Sequence, residues 1–116
     1  MQSTRPLGKP FCVIAICALF MEIVAGLVVL FAAGGGHGTY LPAKLLFPYT
    51  MLMTLPNGFM TAPAIGLALT QFLAYGALYA WAFVQGAERR ALRVLIIFHA
   101  VAVLIALVLL SGPNYR

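Results

Sequence analysis

The sequence predicts an all-α polytopic membrane protein with three transmembrane helices. Between the first and second it adds a Pro-broken re-entrant or interfacial helical segment. Three observations lead there. The chain has 116 residues, of which 64% are hydrophobic and 8% charged, too few polar groups to cover a soluble domain of that size. The apolar residues stand in runs long enough to cross a hydrocarbon core of ~30 Å. The basic residues gather at the ends of those runs, where they meet headgroups and set orientation. The net charge of +5 is therefore a statement about topology and not a nucleic-acid footprint. Residues 1–116 are expected to form one membrane domain.

The first span covers residues 11–33, FCVIAICALFMEIVAGLVVLFAA, whose length at ~1.5 Å per residue matches the hydrocarbon core. The polar lead MQSTRPLGKP before it carries Arg5 and Lys9. A basic lead and an apolar run also describe a signal peptide, but this run exceeds the ~7–15 residues of such a core. Phe31, moreover, is bulky where a cleavage site wants a small residue, so an uncleaved anchor is expected. Glu22 falls near the centre of the span. A charged carboxyl at that depth costs at least about 2.5 kcal/mol, which directs it towards protein or water rather than lipid. On a 3.6-residue period its face also holds Ala18, Ala25 and Gly26, a small-residue packing face that lets a neighbouring backbone approach closely. Cys12 and Cys17 are five residues apart, point to different faces, and read as small apolar filler.

Residues 34–42, GGGHGTYLP, read as an interfacial connector. They lack the Lys-Ser/Thr ending of a phosphate-binding loop, and His37 has no second metal ligand nearby. In residues 43–60, AKLLFPYTMLMTLPNGFM, the apolar stretch is about a dozen residues long and is broken by Pro48. A run of ~10–14 apolar residues is more often interfacial or re-entrant than spanning. The methionines here are packing filler rather than a soft-metal cluster.

Residues 61–85 are expected to form the second span, with Pro63 in the first helical turn. Gln71 lies near the middle of that span, and Tyr79 and Trp81 stand near its end as interfacial anchors. A basic turn with Glu88, Arg89, Arg90 and Arg93 leads into a third span at about residues 92–110, whose one ionisable side chain is His99.

Charge bias selects the topology. With three spans and a non-crossing middle segment, Arg5 and Lys9 share a cytoplasmic basic rim with Arg89, Arg90 and Arg93, in keeping with the positive-inside rule. Lys44 and the Gly-rich loop fall on the opposite side. The expectation is a bacterial inner-membrane protein with its N-terminus cytoplasmic and its C-terminus outside. Four transmembrane helices are the alternative, at the expense of moving the basic turn outside.

Three polar side chains occupy the spans. Counted from the cytoplasmic ends, Glu22 lies at ~16 Å, Gln71 at ~21 Å and His99 at ~11 Å. They are expected to form one intramembrane polar cluster, with Glu22 between the other two. Such a cluster serves as interhelical glue or as a proton- or cation-handling site. Paired-acid hydrolysis is excluded, because the chain has no aspartate and its second glutamate is in a charged turn. Serine nucleophiles fail for want of a base.

The sequence thus points away from an enzyme and calls for no metal or cofactor. The expected role is an accessory or assembly subunit, acting by helix–helix contacts in a larger membrane complex or a homo-oligomer. Its expected partners are membrane lipids and other membrane subunits or copies of itself. The alternative is a small oligomeric transporter or channel with Glu22 as the coupling residue.

Overall fold

The computed structural model describes residues 8–33 and 39–112, and among them it is helical with no strands. Helix α1 runs over Gly8–Ala33. Two short helices follow, α2 at Leu41–Leu46 and α3 at Pro48–Leu52. Then come α4 at Ala62–Ala68, α5 at Gln71–Val84 and α6 at Glu88–Leu109.

Helices α1 and α6 are each long and apolar enough to cross a membrane. The expected continuous helix over residues 61–85 is instead two helices, α4 and α5, meeting at a 50° bend. The candidate spans are therefore two, or up to three if that bent pair is one span. Local chemistry accounts for the break. Thr70 leaves helical geometry at φ −129°, ψ −4°, and its hydroxyl turns back to the Gly66 carbonyl at 2.8 Å, a bond that bends helices. By itself α5 has 14 residues, roughly 21 Å, too short for a ~30 Å core.

Contacts between the long helices fix their directions. Ala18 of α1 faces Gly76 of α5, and Glu22, one turn on, faces Phe72, one turn back. Hence α1 and α5 are antiparallel. The turn from α5 into α6 is a Schellman motif, with Gly86 N–H donating to Phe83 and Ala87 N–H to Ala82. Gly86 adopts φ +68°, which a glycine takes without strain. It follows that Lys9 at the start of α1 and Arg89, Arg90 and Arg93 at the start of α6 lie at one end of the bundle, all exposed. Arg5 and His37 lie outside the described residues.

At the other end, the space that a full-length α5 would fill is taken by α2 and α3. These pack on α6, with Ala43, Met51, Ala106 and Leu110 forming a buried core. Pro48 creates the break between them. It has no N–H to continue α2 and drives the preceding residue out of helical geometry. Phe47 accordingly sits at φ −127°, ψ 55°.

Lys44, expected on the side opposite the basic rim, lies at that end of the bundle and is buried there. It is 7% exposed, inside the α2–α6 core, and its Nζ donates to the Leu110 carbonyl at 2.6 Å. A lysine near the end of a neighbouring helix can satisfy the orphan carbonyls there. The chain uses it to close α6.

Candidate functional site

The polar side chains of the spans converge on the two helix breaks. At the first, Glu22 Oε2 accepts the Phe72 N–H at 2.9 Å. Phe72 is the second residue of α5, whose amide is one of the four that a helix N-terminus leaves without a partner. A Ser, Thr, Asn or Asp at the N-cap ordinarily supplies this acceptor. Here the N-cap is Thr70, whose side chain is spent on Gly66. The side-chain carboxyl of another helix does the capping instead. Glu22 is 9% exposed, with Ala18 and Ala25 of its face buried beside it.

At the second break, two carbonyls at the end of α2 receive side-chain donors. Gln71 Nε2 donates to Leu46 at 2.8 Å, and His99 Nε2 lies 2.8 Å from the Leu45 carbonyl. A carbonyl only accepts, so Nε2 carries the hydrogen. In the neutral ring Nδ1 is then the acceptor, and the Tyr75 hydroxyl donates to it at 2.9 Å. Aromatic edges close the surroundings: Phe47 meets Phe72, and Phe72 meets Tyr75, both edge-on.

Gln71 and His99 thus clamp consecutive carbonyls, and Glu22 holds the amide next to Gln71. No direct bond joins Glu22 to Gln71 or His99, because each reaches backbone rather than another member of the trio. Glu22 serves instead as the acceptor of a backbone amide. The reason is the bend at Leu69–Thr70, which puts Gln71 in the first turn of α5 and leaves amides nearby without helical partners.

Two contributors lay beyond the expectations from sequence, Tyr75 and Gly76. The Tyr75 hydroxyl orients His99. The close approach of helices occurs at Gly76, where an added Cβ would lie 2.8 Å from the Ala18 Cβ. At Gly26, assigned to the packing face, an added Cβ meets nothing within 4 Å. Gly26 instead lines a cavity of about 210 Å³ shared with Glu22, Phe47, Thr50 and Leu69. Thr50 is buried there, and its hydroxyl has no hydrogen-bond partner. A larger, apolar groove of about 630 Å³ is walled by α1 and α6 and floored by α5.

Among the described residues no group of three or more His, Cys, Asp or Glu side chains could hold a metal ion. Comparison with known proteins returns no matching family model, no similar curated protein and no similar solved structure.

Proposed function

We propose that this chain is a membrane protein that works by helix–helix contact, as an accessory or assembly subunit of a larger membrane complex or of a homo-oligomer. The supporting observation is where its intramembrane polar groups are spent. Glu22, Gln71, Tyr75 and His99 all serve to tie broken helices together. They fasten the interior and leave the outer faces of α1 and α6 apolar, with Phe31 83% and Val108 71% exposed. Photo-crosslinking in native membranes from positions 31 and 108 tests this reading. A protein adduct of discrete mass is the expected result. Lipid adducts alone at both positions, with a monomer after mild extraction, would overturn it.

A second reading, a small transporter or channel coupled through Glu22, draws support from one feature. Glu22 and the unpartnered Thr50 hydroxyl belong to the walls of one cavity beside the α4–α5 break. Broken helices around an interior polar site are a recurring arrangement in transporters. Proteoliposome flux separates the two readings. Glu22→Gln abolishes proton coupling under the second and leaves a docking protein functional under the first.

A further inference from the structure

The groove between α1 and α6 has an apolar length and a cationic mouth. Val13, Cys17 and Met21 of α1 face Leu92, Ile96 and Ala100 of α6 across it. Tyr75, Gly76 and Tyr79 of α5 form its floor. Both walls run in the same direction, because α1 and α6 are each antiparallel to α5. Their helical stripes continue into charge at the same end. Lys9 precedes Val13 by four residues and Cys17 by eight, and Arg89 precedes Leu92 by three and Ile96 by seven. Such spacings share a helix face. Arg93 stands one turn before Ile96, and Arg90 completes the cluster. Glu88 shares this end and is already engaged within the fold. Four cations less one carboxylate leave the described end with three net positive charges.

From this arrangement we infer that the groove is a binding site for one anionic phospholipid. One acyl chain lies along the apolar slot, and the phosphate sits between Lys9 and the Arg89–Arg93 turn. The two parts of the site do different work. The chain exchanges one apolar contact for another, since lipid tails are as apolar as the groove, so the slot supplies position rather than preference. Preference comes from the mouth, where each Lys or Arg near an anionic surface adds attraction. Tyr79, on the floor towards the charged end, has the amphipathic ring suited to the headgroup level. A helix from a second copy is the competing occupant, but it would set its own side chains against an apolar slot without using the cations at its end. This inference is independent of which reading of the protein's role holds.

The test is native mass spectrometry of the full chain extracted in mild detergent and exposed to equimolar dioleoyl phosphatidylglycerol and dioleoyl phosphatidylcholine. One phosphatidylglycerol per chain should be retained, at about tenfold preference over phosphatidylcholine. The triple variant Lys9→Gln, Arg89→Gln, Arg93→Gln should bring the two lipids to equal, weak retention. Ala100→Phe, which narrows the slot and keeps every charge, should lose the retained lipid. Circular dichroism shows that each variant is folded. Equal retention of both lipids by the unmodified chain would overturn the inference. So would a preference that survives the triple variant, a retained lipid undisturbed by Ala100→Phe, or a lipid-free dimer.

Discussion

Glu22 and Phe72 are 50 residues apart in the chain and 2.9 Å apart in the fold, joined by a carboxyl oxygen and a backbone amide. This bond couples the middle of one long helix to the start of a short one. Losing a capping acceptor costs about 0.5–2 kcal/mol, and a buried amide left without a partner about 1–3 kcal/mol. Glu22→Ala should therefore destabilise the protein by about 1–3 kcal/mol. Glu22→Gln, which keeps a carbonyl oxygen to accept the amide, should cost less than half as much. Reversible unfolding in mixed micelles measures both. Equal losses in the two variants would show that the amide bond is not what Glu22 contributes.

The clamp on α2 makes a prediction about coupling. Tyr75 acts on the α2 carbonyl only through His99, since its hydroxyl orients the ring that holds Leu45. Interhelical hydrogen bonds in membranes are worth about 0.6–2 kcal/mol, and members of one network are not additive. Tyr75→Phe and His99→Phe should each destabilise by about that amount, and the double variant by clearly less than their sum. Gln71→Leu, acting on the neighbouring Leu46 carbonyl through a separate bond, should add to His99→Phe almost in full. A double-mutant cycle under the same unfolding conditions decides.

Gly76 and Ala18 mark a close approach of α1 and α5. A Cβ on residue 76 would lie 2.8 Å from the Ala18 Cβ, and neither group can rotate away. Gly76→Ala should destabilise by about 1–3 kcal/mol, the usual cost of overpacking. Ala18→Gly in the same chain should recover a large part of that loss. The comparison is the thermal midpoint of the single and double variants, and failure of the rescue would place the strain elsewhere.

Orientation is checked by labelling single cysteines in a Cys12→Ser, Cys17→Ser background. The antiparallel packing puts the exposed Gln85 at the end of the bundle that carries Arg89, Arg90 and Arg93, and Ser111 at the other. By the positive-inside rule, Gln85→Cys should react with an impermeant maleimide only after the cytoplasmic face is opened. Ser111→Cys should react from outside in intact cells or spheroplasts.

The helical class and the presence of helices long and apolar enough to cross a membrane were legible in residue order, because apolar length and the siting of charge are local properties. So was the sheltering of Glu22: an acid flanked at helical spacing by Ala18 and Ala25 has one small face on which to pack. Pro48 likewise announced a break between Lys44 and Asn57, since a missing N–H acts wherever the rest of the chain goes. The pairing of these features was a different matter. The bend at Leu69–Thr70 carries no proline and reads as uninterrupted helix. It is maintained by Thr70 bonding to Gly66 and by Glu22 taking the amide that the bend leaves exposed. Nor does residue order show that α6 ends where the Lys44 amine can reach the Leu110 carbonyl.

Composition and spacing by themselves determined that this is an α-helical chain with helices long and apolar enough to cross a membrane, one buried acid and a basic cluster beside its last helix. The tertiary structure alone decided which backbone groups Glu22, Gln71 and His99 serve, and that Gly76 rather than Gly26 is the point of close approach. The division has a physical cause. Hydrophobic length and helical period are written into neighbouring residues, whereas a free amide or carbonyl comes into being only when a helix breaks. Its partner is whichever side chain the packing of distant helices brings within 3 Å.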